Sequence, residues 1–183
     1  MIISQYEIPF FQYSIEDWQE KKKIIKEALP DYKQYAIENN NLTDNNHYSD
    51  YHQNADTAPE YAEDVISCVE EEIKKFCDDT RSSWDMTRLW FQTYEKTNSF
   101  PLHNHGMNGF NAILYVDYNN TEHSPTIFYS PYPSWRREMN GAYESFRPNV
   151  CEGDIIFFPS MLQHESPANL SESKRTIISF NLK

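Results

Sequence analysis

The sequence predicts a mainly β fold in which a small barrel or sandwich core is braced by two N-terminal helices. Three observations carry this. Apolar residues recur at helical spacing twice before Trp84; beyond Trp84 the period shortens towards two; and turn residues punctuate that second part at short intervals. At 183 residues the chain is long enough for one well-buried domain and short for two. We therefore expect a single domain over 1–183, with helical support at 14–83 and the β core at 84–183.

Residues 2–13 mix isoleucine and aromatics around Pro9, which predicts an edge strand or extended arm, because proline cannot donate to a sheet ladder. Ser14 with Asp17 three residues later reads as a capping box. The helix it opens carries Trp18, Ile24, Ile25, Ala28 and Leu29 on one side and ends before Pro30. From Glu38 to Asp56 the chain is dominated by Asn, Asp, His and Tyr, and so little aliphatic surface cannot repay the entropy of ordering. A mobile loop is expected there, with His47 and His52 facing solvent; its length also makes residues 38–56 a candidate active-site lid. Thr57 with Glu60, and Pro59 in the first turn, open a second helix. Its apolar positions include Val65, Ile66, Val69, Ile73, Phe76 and Cys77, a brace for a sheet.

Candidate inward or half-buried strand positions are Leu89, Phe91, Ile113, Tyr115, Ile127, Tyr129, Ile155 and Phe157. Turns are predicted at Asn119–Asn120, Pro131 to Pro133, Asn140–Gly141, Gly153–Asp154 and around Pro167. With no long helix after the second one and no glycine-rich phosphate loop, a doubly wound dinucleotide fold is excluded.

Sixteen basic against 28 acidic residues give a net charge of -12, so extended nucleic-acid binding is not expected. Lys21, Lys22 and Lys23 fall in the first helical pattern and read as a solvated face. Cys68, Cys77 and Cys151 are too few and too scattered for a disulfide framework, which fits a reducing compartment. The amino terminus lacks a basic start followed by an apolar stretch, and no apolar run is long enough to span a bilayer. The expected location is therefore cytoplasmic.

The strongest local signal is His103-Asn104-His105. Residues two apart in an extended chain point the same way and can hold one metal together. A third candidate, His164, follows the Gly153–Asp154 turn and the apolar run Ile155 to Phe158, so it would arrive from a different strand.

Tyr94, Thr97, Phe100 and His103 keep the three-residue spacing that precedes the first ligand histidine in prolyl-hydroxylase-like oxygenases using iron(II) and 2-oxoglutarate, with Thr97 and Phe100 departing in identity. The stretch from Glu152 to Pro159, then His164 and Arg175 to Asn181, resembles the carboxy-terminal half of the same core. The likeness is closest to small members, often viral or bacterial, with an HNHG first motif, and it covers roughly Trp90 to Lys183. It implies a double-stranded β-helix, a jelly roll of the cupin kind. It further implies Fe(II) held by His103, His105 and His164, 2-oxoglutarate as cosubstrate with O2, and hydroxylation of an unidentified small molecule or protein side chain.

The resemblance departs at one ligand. The usual first motif supplies a carboxylate where this chain has His105, leaving either a three-histidine site or His105 just outside the ligand set. For the distal carboxylate of 2-oxoglutarate the resemblance points ten or eleven positions beyond the last histidine. Arg175 suits it by its guanidinium fork, Lys174 is the rival, and Tyr94 and Ser179 are further candidates. Tyr129, Trp135 and Arg136, in the aromatic segment running to Arg137, are candidate substrate-binding residues, with the arginine pair suited to an acidic substrate. Two alternatives stand beside this reading. Gly153, Pro159 and His164 also resemble the second motif of cupins, implying a metal-dependent dioxygenase that does not use 2-oxoglutarate, although no carboxylate follows the first histidine pair as it would there. A non-catalytic binding or structural module on the same fold is the other.

Overall fold

The computed structural model describes residues 8–34, 47–52, 57–133 and 143–183. Its elements run β1 (Phe11–Ser14), α1 (Trp18–Ala28), β2 (Tyr48–Ser49), α2 (Ala62–Thr80), β3 (Met86–Tyr94), β4 (Phe100–His103), β5 (Phe110–Asp117), β6 (Ile127–Pro133), β7 (Tyr143–Phe146), β8 (Asp154–Pro159), β9 (His164–Ser166) and β10 (Arg175–Leu182). They form a jelly roll of two antiparallel sheets, a major one ordered β1-β8-β5-β10-β3-β2 and a minor one ordered β4-β9-β6-β7, with both helices packed on the major sheet. This is the architecture expected from the sequence.

The major sheet is buried on both faces. On β10, Ile178, Phe180 and Leu182 turn towards the helices and meet Leu89, Phe91, Leu114 and Phe157 from neighbouring strands and Ile25, Val65, Val69 and Phe76 from α1 and α2. The Phe76 and Phe157 rings stack at 4.4 Å and 6°. Burying one such ring contributes about 2–3 kcal/mol. The alternate residues face the space between the sheets, where Ile177 joins Tyr94, Ile113, Tyr115, Ile156, Phe158 and Phe128. Burial on both sides is why β5 and β8 read as nearly unbroken apolar runs.

Several local expectations change. Ser14 does not cap α1; it ends β1, and its hydroxyl donates to Asp154 Oδ1 at 2.6 Å. Asp17 holds the cap position in a left-handed conformation with no side-chain cap bond. The second helix starts at Ala62, after the Thr57 signal, and Ile66 on it is 37% exposed. Strand β6 runs on through Pro131 to Pro133, where a turn was expected; Pro131 falls in the register irregularity between Tyr129 and Pro133, so its missing N–H disturbs no regular ladder.

The largest difference concerns residues 47–52, which do not form a mobile loop. Tyr48 and Ser49 pair with Thr93 and Gln92 as an edge strand, and Asp50 is buried, accepting the Phe91 N–H at 2.9 Å and the Tyr61 hydroxyl at 2.5 Å. Arg88 donates to the Tyr51 carbonyl and lies 3.6 Å over the Tyr51 ring. Hydrogen bonds rather than aliphatic burial order this polar segment. His52 is exposed as expected, whereas His47 is buried. Among the described residues, no helix is long and apolar enough to cross a membrane.

Gly109 marks a close approach of two chain segments. Its φ is +87°, and a Cβ there would lie 2.1 Å from the Leu182 carbonyl oxygen. Gly109→Ala is expected to cost about 3 kcal/mol in urea unfolding, from strain plus displacement of the end of β10. Gly106→Ala, also at positive φ but facing open space, is expected to cost only about 1 kcal/mol.

Candidate metal centre

Strands β4 and β9 are paired so that His103 stands directly opposite His164. His105 lies two residues beyond His103, and its N–H donates to the Ser160 carbonyl at 2.9 Å, which holds the segment after β4 against the end of β8. The ring centroids are 4.2 Å apart for His103 and His164, 5.1 Å for His103 and His105, and 5.2 Å for His105 and His164. One ligand atom from each lies within 4.8 Å of the other two, a spacing that a single ion can bridge.

Two of the rings are oriented by backbone. His103 Nδ1 lies 2.8 Å from the Pro101 carbonyl and His164 Nδ1 lies 2.9 Å from the Leu162 carbonyl. A carbonyl only accepts, so each Nδ1 carries the proton and each Nε2 keeps its lone pair. Burial lowers the pKa of all three, His164 well below the usual value and His105 to about 4, with the neighbouring His103 adding to both shifts. At neutral pH the cluster is three neutral imidazoles, the form a metal needs.

These rings stand on a cavity of about 560 Å³ between the two sheets. Tyr94 and Ser179, both named from the sequence, line it. Tyr94 is fully buried and its hydroxyl makes no well-formed hydrogen bond, although the Ser166 and Gln92 side chains lie near it; burial, the largest effect, raises its pKa, so it stays protonated and able to donate. Arg175 lies behind Tyr94, its guanidinium 4.3 Å from the ring centroid. It donates to the Ser124 carbonyl at 2.5 Å and to the Pro167 carbonyl at 3.4 Å, while its buried Nε has no partner. Among the described residues no carboxylate pairs with it.

Two other candidates, Lys174 and Tyr129, do not join this group. Lys174 sits 4.7 Å over the Tyr32 ring, beside Glu95 and Glu172 on the outer surface, because adjacent residues of a strand point to opposite faces. Tyr129 turns away from the cavity for the same reason: its neighbour Phe128 packs on His164 at 5.6 Å, whereas the Tyr129 hydroxyl donates to Glu165 at 2.6 Å. Trp135 and Arg136 lie outside the described residues.

Several lining residues were not singled out from the sequence. His47 stacks on Tyr94 at 5.3 Å and 13°, meets Phe100 at 4.7 Å, and lies 3.5 Å from Gln92 Nε2. Trp90 packs on His105 at 5.6 Å and on Tyr51 at 5.0 Å. Asn111 and Asn181 are hydrogen-bonded to each other across β5 and β10. Period two gave the available signal: once Arg175 and Tyr94 point inwards, Asn181 and Gln92 do so as well.

A family model described as "Putative 2OG-Fe(II) oxygenase" matches residues 88–181. No curated protein sequence matches the chain. Among solved structures, AviO1 from Streptomyces viridochromogenes Tue57 is 13% identical, with 96% of this chain and 89% of that one covered at a TM-score of 0.67. A Pseudomonas putida prolyl-4-hydroxylase is 11% identical over 96% and 92% of the two chains, at 0.58. HygX from Streptomyces hygroscopicus, solved with nickel, 2-oxoglutarate and hygromycin B bound, is 12% identical over 96% and 82%, at 0.62. At these identities the structures establish a shared fold. The family match spans just over half of the chain and includes His103, His105, His164 and Arg175, so the chain belongs to the 2OG-Fe(II) oxygenase family.

Proposed function

We propose that this protein is an Fe(II)- and 2-oxoglutarate-dependent oxygenase that hydroxylates a small molecule or a protein side chain. The observation that carries the reading is a pair of buried donors without a well-formed hydrogen bond, Tyr94 Oη at the deep end of the cavity and Arg175 Nε behind the Tyr94 ring. A buried cation without a counter-ion is costly unless an anion arrives to meet it, and a guanidinium beside a phenol hydroxyl offers donors suited to a carboxylate. Tyr94 and Arg175 would hold the distal carboxylate of 2-oxoglutarate, with Ser179 further along the same wall. His103, His105 and His164 would hold the iron.

Iron(II) with 2-oxoglutarate and O2 supplies, when bound, the oxidising power that places oxygen on an unactivated carbon. The chain's own tasks are binding, orientation and exclusion of water. The Pro101 and Leu162 carbonyls fix which nitrogen of His103 and His164 faces the metal. Three imidazoles contribute no negative charge, so an anionic cosubstrate would supply what the missing carboxylate does not. Phe100, Ile113, Phe158 and Ile177 give the cavity apolar walls that keep solvent from the metal once substrate fills the mouth.

A three-histidine cluster favours a second reading, a cupin-like dioxygenase that does not use 2-oxoglutarate, although the glutamate that follows the first histidine pair in cupins is missing here. The deep-end donors argue against it, since that chemistry has no use for an anion receptor there.

Reconstitution with Fe(II), 2-oxoglutarate and O2, with succinate as the readout, tests the choice; tight iron binding without any 2-oxoglutarate affinity would support the cupin-like reading. His164→Ala is expected to lose iron. Arg175→Met, of similar length, is expected to keep iron while 2-oxoglutarate affinity falls roughly 30-fold, from about 2 kcal/mol of charged hydrogen bonding. Unchanged affinity in a folded Arg175→Met variant would refute the assignment.

The pH dependence of the metal-free protein tests the neutrality of the cluster. An unfolded histidine takes up a proton near pH 6.5, whereas folded His105 does so only near 4. The unfolded chain therefore binds more protons between those values, and stability present above about 6.5 is lost as pH falls towards 4. The thermal midpoint is expected to drop across this window, and less steeply in His105→Asn.

A further inference from the structure

At the outer end of the cavity, Asn111 Nδ2 donates to Asn181 Oδ1. Asn111 is buried, and its Oδ1 has no partner. Asn181 Nδ2 makes no hydrogen bond among the described residues. The pair therefore offers the cavity one acceptor and one donor. This count does not depend on how the two amides are turned: flipping both reverses which residue donates and again leaves one acceptor and one donor.

Position separates this pair from the deep-end donors. Arg175 and Asn181 lie six residues apart on one extended strand, about 20 Å, too far for a five-carbon diacid to meet both. Among the described residues the cavity wall includes no Asp, Glu, Lys or Arg, and one charge stands beside it: Arg88, the cross-strand neighbour of Asn181, lies over the Tyr51 ring. A neutral group carrying both a donor and an acceptor would satisfy the amide pair, whereas a group that only donates or only accepts would leave half of it unmet.

We infer that Asn111 and Asn181 form a binding site for a carboxamide group of the substrate, which would donate its N–H to one asparagine and accept at its carbonyl from the other. This deepens the proposed oxygenase reading by naming the substrate's recognised group. The same chemistry occurs in an open carboxamide, as in an amide side chain, and in the ring amide of a pyrimidine base. A carboxylate, an ester or an ammonium group lacks one half of it.

The test measures binding by ligand-observed NMR to the full chain loaded with redox-inactive Zn(II). Benzamide is compared with methyl benzoate, which lacks the donor, and with benzoate; uridine is compared with 3-methyluridine. We expect the amide member of at least one set to bind about tenfold more tightly than its donor-lacking partner. A preference within the benzamide set marks an open carboxamide, and one within the uridine set a ring amide. Asn181→Ala, at a half-exposed position that tolerates truncation, and Asn111→Ser should bring the preference to within about twofold while leaving 2-oxoglutarate affinity unchanged. Equal binding within both sets, or a preference that survives in folded Asn181→Ala, would overturn the inference. Failure of 2-oxoglutarate to bind the wild-type chain would instead sink the oxygenase reading and leave the amide preference standing.

Discussion

The alternation of side chains along β10 is the constraint on which the rest of the molecule depends. The strand lies between β3 and β5 in the middle of the major sheet, so each of its residues is committed to one of two interiors. Ile178, Phe180 and Leu182 complete the core under the helices, while Arg175, Ile177, Ser179 and Asn181 serve the space between the sheets. A register slip of one residue would exchange the two sets, placing aromatic bulk where the cavity is and polar groups against α2. Apolar packing on one face thus holds the polar face in place. The position of the candidate site follows from the hydrophobic core rather than from any interaction within the site itself.

Electrostatics divide the same cavity into zones. The protein as a whole is strongly acidic, yet the described wall between the sheets carries neutral imidazoles, amides and hydroxyls, with the Arg175 guanidinium behind Tyr94 and that of Arg88 beside Tyr51. The three tyrosines around the Arg175 guanidinium, Tyr94, Tyr115 and Tyr118, surround it with aromatic faces and hydroxyls instead of a counter-ion. A buried guanidinium with no carboxylate partner among the described residues is a local cost in stability.

Much of this was readable from the residues, for physical reasons that differ from place to place. The two helices and the strands of the major sheet announce themselves because burial imposes a period, and Trp18, Val65, Phe76, Ile155 and Phe157 obey it. The histidines could be grouped because two lie at strand spacing and the third ends an apolar run, although only tertiary pairing sets His103 opposite His164. Residues 47–52 escaped because their order comes from buried hydrogen bonds to Asp50, and nothing in composition distinguishes a polar segment that finds such partners from one that does not. The choice between Arg175 and Lys174 needed the phase of the strand, and so did the orientation of Tyr129. Asn111 and Asn181 lay in plain alternation, but two asparagines 70 positions apart give no sign in sequence that they touch.

The brevity of the outermost strands of the major sheet has a consequence for how copies of this protein meet. One border is the four-residue β1, entered through Pro9, and the other is the two-residue β2. Among the described residues neither leaves a run of free backbone groups long enough to template a neighbour, so these borders are poor templates for a continuous intermolecular sheet. Any self-assembly of this chain through its major sheet would have to use side-chain surfaces in place of backbone recognition.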